Sequence, residues 1–274
     1  MPSGDARTGL GDRLAGTRFS TVRWVAEIDS TNRELLDEAR EGVIGPAVLV
    51  ADHQTAGRGR RDRRWLAPPG SGLLVSVLVR LQVAPDRLPL ATAAAALATS
   101  DAVAEVAGVG TTLKWPNDVV VGERKLAGVL AEAVGDTVVV GVGTNVDWQV
   151  DLPPEIAETA VALNHLTDRR VDRADLLVAY LQALHRELES LEADGGSALL
   201  GRYRDRCSSL ARHVRVETDA GVVEGVAVDL TGPGHLVVEA TDGTRTEIAT
   251  GDVVHLKGRG RRRGSRRSGL GPAR

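Results

Sequence analysis

"TTLKWPNDVVVGERKLAGVLAEAVGDTVVVGVGTNVDW", residues 111–148, decides the fold class. Its apolar runs are broken at Gly122–Glu123 and Gly135–Asp136, turn signals too short to hold a crossover helix. Strands joined in this way lie antiparallel, so the sheet is antiparallel or mixed. Toward the N-terminus, "GLLVSVLVRL" (72–81) and "AVLVADHQ" (47–54) read as buried-type strands, and "FSTVRWVAEI" (19–28) as a loosely alternating one. Between them "DSTNRELLDEAREG" (29–42) opens a helix. Asp29, Ser30 or Thr31 can cap it, and Glu34 stands at capping-box distance from Thr31. Leu35, Leu36 and Ala39 give the stripe, and Gly42 stops it. Long helices are predicted over the alanine-rich 87–108 and the amphipathic 172–193. The fold class is α+β, a mixed and mostly antiparallel sheet with flanking helices.

From His213 to Leu256 the pattern changes to short alternating strands with turns at "DAG", "TGPG" and "DG", and no helix fits. This predicts a small appended β-barrel-like domain. The expected organisation is a flexible segment over 1–18, a main domain over 19–208, the small β domain over 209–257 and a disordered arginine-rich tail over 258–274. The tail holds seven arginines and no acid.

Net charge is −3, but without those seven arginines 27 basic residues face 37 acidic ones, a net −10. An acidic body argues against a broad nucleic-acid footprint. No apolar run approaches the roughly 20 residues of a membrane span, and the N-terminus lacks a secretory signal. Cys207 is the one cysteine, so no intrachain disulfide forms and the cytoplasm is the expected compartment. With no His-bearing motif beside it, Cys207 reads as a packing residue. Three of the 34 basic residues are lysine: Lys114, Lys125 and Lys257. A lysine kept in so arginine-rich a chain suggests a task that suits a compact ammonium better than a planar fork.

Three segments carry chemistry. "GRGRRDRRW" (57–65) follows a strand, and Gly57 and Gly59 let its backbone approach a ligand. Arg58, Arg60 and Arg63 offer forks for phosphate or carboxylate, and Trp65 an aromatic face for a base. Taken alone, the segment also reads as a solvated basic loop. In "LKWPNDVVVGERKLAGVLAE" (113–132), Asn117 can bond an adenine edge, Asp118 can hold Mg²⁺ or its water, and Lys125 can face the same pocket from the second strand of a hairpin. "GVGTNVDW" (141–148) sets two glycines before Asn145 near a strand end.

"DSTN" (29–32), "QTAGRGRRDRRW" (54–65), "KWPND" (114–118), "RKLAG" (124–128) and "GVGTNV" (141–146) occur in the order and spacing of one family. Over about residues 19–257 the sequence resembles the biotin protein ligases. The resemblance implies a catalytic domain like that of class II aminoacyl-tRNA synthetases and an SH3-like C-terminal barrel. It implies two half-reactions. Biotin's carboxylate attacks the α-phosphate of ATP, giving biotinyl-AMP and pyrophosphate. A lysine of a biotin carboxyl carrier protein, a domain of acyl-CoA carboxylases, then takes the biotin. The resemblance further implies assistance by Mg²⁺ and a chain that is a monomer or weak homodimer.

By motif, the resemblance places Ser30, Thr31, Asn32, Gln54, Gly57 and Arg58 around biotin, with Gly128 leaving room for it. Arg60 and Arg63 hold the phosphates and Trp65 packs on adenine, while Asn117 and Asn145 meet the polar edge of that base. Asp118 acts through Mg²⁺, and Lys125 bridges carboxylate and α-phosphate. Lys125 and Arg60 are the catalytic pair. Asp62 departs from the pattern, standing where the family's loop usually has glycine. Some family members repress transcription through an N-terminal DNA-binding domain. The 18 residues before the first strand leave no room for one, so ligase activity without DNA binding is expected. The nearest rival is a lipoate or octanoyl transferase, which shares the catalytic fold. A nucleic-acid-binding module predicts a basic body, which this chain lacks.

Overall fold

In the computed structural model, residues 8–43, 45–148 and 152–256 are described. The first half contains α1 (Leu10–Arg13), β1 (Val22–Ile28), α2 (Thr31–Arg40), β2 (Ala47–Gln54), β3 (Gly72–Arg80) and α3 (Leu90–Ala107). Next come β4 (Thr112–Lys114), β5 (Asp118–Val121), β6 (Arg124–Val134), β7 (Thr137–Asn145), α4 (Arg173–Asp194) and α5 (Ser197–Arg206). The C-terminal strands are β8 (His213–Thr218), β9 (Gly221–Leu230), β10 (Leu236–Glu239), β11 (Arg245–Ile248) and β12 (Asp252–His255).

The first seven strands form one sheet in the order β1-β2-β3-β7-β6-β5-β4. The β1–β2 pair is parallel, with α2 as its crossover, and every other ladder is antiparallel. The mixed, mostly antiparallel sheet is therefore as expected, and both turns in 111–148 fall where the sequence puts them. α3, α4 and α5 pack together on the sheet. With its preceding turn, α3 is long and apolar enough by composition to cross a membrane. It is instead buried nearly all round, and its alanines let α4 approach closely. The C-terminal strands form a second, antiparallel sheet in the order β11-β10-β9-β8-β12.

Two expectations are corrected. The segment expected to be flexible over 1–18 is anchored within its described residues, 8–18. Leu10 and Leu14 are buried there, Arg13 pairs with Asp175 at 2.8 Å and Arg18 with Glu192 at 2.8 Å. Full burial of a leucine such as Leu14 is worth about 2 kcal/mol, which helps to hold this short stretch on α4. The capping box on α2 is also absent. Ser30 is the N-cap, its side chain accepting from the Arg33 N–H at 3.5 Å, because the Thr31 hydroxyl is engaged elsewhere. The tail over 258–274 lies outside the described residues.

Two features position the site. Cross-strand pairing sets Lys114, Asp118, Gly128 and Gly143 side by side across β4, β5, β6 and β7. A knot of hydrogen bonds joins the two sheets. The Ser209 hydroxyl accepts from the Trp115 N–H at 3.2 Å and so can donate to His255 Nε2 at 3.1 Å. His255 Nδ1 then donates to Glu123, which also pairs with Arg212. Burial holds the His255 pKa below its ordinary value, favouring this neutral form.

Candidate active site

A cavity of about 360 Å³ opens between the central strands, the arginine segment and β12. Its deep end is neutral and hydrogen-bonded. The N-terminus of α2 brings Thr31 and Asn32 over β3 and β7. The Thr31 N–H donates to Gln54 Oε1 at 2.8 Å, and its hydroxyl lies 3.0 Å from the same oxygen. Thr31 Oγ1 and Ser76 Oγ are 2.7 Å apart, and Ser76 donates to Asn32 Oδ1 at 2.6 Å. Two hydroxyl protons thus serve three oxygen–oxygen contacts, which leaves this end rich in acceptors. Gly141 admits Asn32, because a Cβ there would lie 2.0 Å from Asn32 Oδ1.

The middle of the cavity is floored by Gly128 and Gly143, with the Trp65 indole laid on them. A Cβ on Gly143 would meet the ring at 2.5 Å, and one on Gly128 would meet Lys125 Cε at 2.8 Å. Trp65 Nε1 is buried with no hydrogen-bond partner, an unsatisfied donor that a ligand acceptor would relieve. Lys125 Nζ lies 2.6 Å from Asp118 Oδ1 and 5.6 Å from the centre of the Trp65 ring. The backbone of Lys125 is fixed by residues 159–161, through Lys125 N to Thr159 O at 2.7 Å and Val161 N to Lys125 O at 3.0 Å.

The arginine segment is a small hairpin. Arg58 and Arg64 form an antiparallel bridge, and the Trp65 N–H donates to Gly57 O at 3.0 Å. Arg61 and Asp62 occupy the turn with φ 52° and 57°. Two left-handed residues in a two-residue turn mark the primed type that matches strand twist. Asp62 thus replaces glycine where an aspartate is among the better-tolerated residues. The hairpin is docked on the C-terminal sheet. Arg60 donates to Asn117 Oδ1 at 3.3 Å, to Gly251 O at 3.3 Å and to the Thr250 hydroxyl. Arg61 reaches Asp219 at 2.8 Å and Asp252 at 3.3 Å, and Arg63 also pairs with Asp252. Arg58 makes a two-pronged contact with Glu132 at 2.9 and 3.0 Å. Burial pulls the Arg60 guanidinium below its ordinary value, and Asp252 opposes that shift.

Ser30, Thr31, Asn32, Gln54, Arg58, Arg60, Arg63, Trp65, Asn117, Asp118, Lys125 and Gly128 all line this cavity. Two predicted residues do not. Asn145 is buried, and its amide donates to Val161 O at 3.1 Å, so it holds the strap beside Lys125. Gly57 closes the hairpin, where a Cβ would come 2.5 Å from Trp65 O. Sequence reasoning missed Ser76, Glu132 and Asp252, and noted Gly141 without its role of admitting Asn32. Ser76 had a signal, being the one polar side chain inside the buried run "GLLVSVLV". Asp252 had none, since its role depends on how the two sheets are apposed.

A family model described as "Biotin/lipoate A/B protein ligase family" matches residues 24–146, and one described as "Biotin protein ligase C terminal domain" matches 210–256. A Mycobacterium tuberculosis protein named biotin--[acetyl-CoA-carboxylase] ligase is 37% identical, over 90% of this chain and 94% of its own. The chain belongs to the biotin protein ligase family. A Paracoccus denitrificans protein of the same name is 32% identical, over 80% of this chain and 98% of its own. Among solved structures, the biotin protein ligase of Aquifex aeolicus in complex with biotin and ATP superposes with a TM-score of 0.75 and 31% identity. That match covers 85% of this chain and 97% of the other.

Proposed function

We propose that this chain is an ATP-dependent ligase that joins biotin to a lysine of a biotin carboxyl carrier protein, through biotinyl-AMP. The observation that carries biotin over lipoate is the deep end of the cavity. Thr31, Asn32, Gln54 and Ser76 present hydroxyl and amide oxygens there. A ureido ring brings N–H donors and a carbonyl to such a cluster. A dithiolane ring brings no N–H or O–H donor, so it adds nothing to the spare lone pairs of those oxygens and shields them from water, which a polar pocket penalises.

With the ring at that end, the carboxylate reaches Lys125 over Gly128 once the Trp65 indole lifts from Gly128 and Gly143. Lys125 leaves Asp118 to bridge this carboxylate and the α-phosphate, screening two anions that must meet. The carboxylate oxygen bonds the α-phosphorus, and the bond to the bridging oxygen breaks with its electron pair on pyrophosphate. Arg60 and Arg63 hold phosphate oxygens, and Trp65 and Asn117 receive the adenine. In the second step the carrier's neutral amine attacks the acyl carbon and AMP leaves. Asp118 is a cavity carboxylate that no arginine holds, and among the described residues no cluster of three metal-ligating acids, histidines or cysteines occurs. One carboxylate with substrate phosphates is an ordinary Mg²⁺ arrangement, so Asp118 fits that ion, which would supply further screening of the phosphates. The main domain then corresponds to a class II synthetase-like catalytic unit and the C-terminal sheet to an SH3-like barrel.

ATP–pyrophosphate exchange, run with biotin and with lipoate separately, tests the reading. Exchange with biotin alone is the expected result. Exchange with lipoate alone overturns the substrate, and exchange with neither overturns the ligase.

A further inference from the structure

Lys114 is the cation of this cavity that the five family motifs leave without a task. It lies at the end of the cross-strand row, directly opposite Asp118, beyond Gly128 and Gly143. At the usual strand spacing it stands about 10 Å from Gly128, on the side away from the deep end. The other cations lining the cavity are committed. Arg58 is held by Glu132, Arg60 by Asn117, Thr250 and Gly251, Arg63 by Asp252, Arg64 by Thr55 O, and Lys125 by Asp118. Among the described residues that line the cavity, Lys114 is the cation with no hydrogen bond or ion pair. Its cross-strand partner, Asp118, is paired with Lys125.

We propose that Lys114 binds the leaving pyrophosphate, that is, the β- and γ-phosphates of ATP. The inference rests on the ligase reading and follows from direction. In an in-line displacement the attacking and leaving oxygens lie on opposite sides of the phosphorus. The nucleophile arrives from the deep end over β3 and β7. The phosphorus sits by Lys125 and Asp118, over β6 and β5. The bridging oxygen that takes the electron pair is therefore carried toward β4, where Lys114 waits. A compact ammonium free of intramolecular partners can follow an anion whose charge grows as the bond breaks. The arginine hairpin would first have to release Asp252 or Thr250.

The test uses the full chain with Lys114→Gln and Lys114→Arg. Three quantities are measured: the KM for pyrophosphate in biotin-dependent exchange, the Kd for biotin by calorimetry, and the rate of transfer from preformed biotinyl-AMP to the carrier. Lys114→Gln is expected to raise the pyrophosphate KM about tenfold to a hundredfold. Biotin affinity and transfer should stay within about twofold, and Lys114→Arg should recover most of the loss, since charge is what the Gln variant lacks. An unchanged pyrophosphate KM overturns the proposal. So does a loss shared equally by biotin binding and transfer, which marks a structural role. If the unaltered chain exchanges pyrophosphate with no biotin-dependent signal, the ligase reading falls and this one falls with it.

Discussion

The two ends of the cavity are built on opposite principles. At the deep end, Thr31, Asn32, Gln54 and Ser76 are uncharged, mostly buried and bonded to one another, with Asn32 also donating to Glu132, the carboxylate that holds Arg58. At the mouth, the arginine hairpin is charged, half-exposed and bonded to acids and carbonyls of another sheet. The first arrangement is preorganised, since a ligand adds to bonds already oriented by α2 and β3. The second is provisional, since a triphosphate must compete with Asp252 and Thr250 for the same forks. On the proposed reading, specificity for the acid substrate belongs to the deep end, and retention of the charged intermediate to the mouth.

The largest expected effect lies where the two ends meet. Lys125→Arg should lower the rate of biotinyl-AMP formation at least a hundredfold, about 2.7 kcal/mol of barrier. Lys125 packs close against Gly128, with Trp65 and Asp118 on either side, and a bulkier planar cation cannot reproduce the same point contact. Quenched-flow measurement at saturating biotin and ATP, with circular dichroism as the folding control, decides it. A folded variant of near-normal rate would show that any positive charge suffices.

Next, Arg60→Gly should weaken retention of biotinyl-AMP by about tenfold to a hundredfold, the worth of a charge-assisted contact. Escaped adenylate then labels lysines of bystander proteins. The comparison breaks if this variant loses biotin affinity instead, which a biotin titration reads directly.

Ser76→Ala probes the other end. It leaves Asn32 Oδ1 without its donor in a buried setting. The biotin Kd should rise about tenfold while the ATP KM stays within about twofold. An equal loss for both substrates would mean that the deep end and the mouth act as one unit.

The smallest effect is expected from Asp252→Asn, which removes the shared acid from Arg61 and Arg63. Partly exposed pairs contribute about 1 kcal/mol or less, so biotinyl-AMP should dissociate about fivefold faster at most. Raising the salt concentration should mimic the change in the unaltered chain and add little in the variant. A slower dissociation would show that Asp252 competes with the phosphates more than it holds the hairpin closed.

The sequence by itself determined the local structure and the chemistry of the cavity. Turn residues at 122–123 and 135–136 act over a few bonds, so the antiparallel ladder of β5, β6 and β7 was legible without tertiary information. "GRGRRDRRW" and "KWPND" could be read through their resemblance to one family, because the arginine segment taken alone also reads as a solvated basic loop. Tertiary structure alone decided which groups face each other across long separations. Ser76 meets Asn32 over 44 positions, and Arg60 meets Gly251 over 191. Asn145 shows the same limit from the other side. Its motif placed it at the cavity, but its amide satisfies a buried carbonyl on the 161 strap. The burial of Leu10 and Leu14 was likewise invisible, because a short apolar pair gains its stabilisation only from a helix surface that the rest of the chain provides.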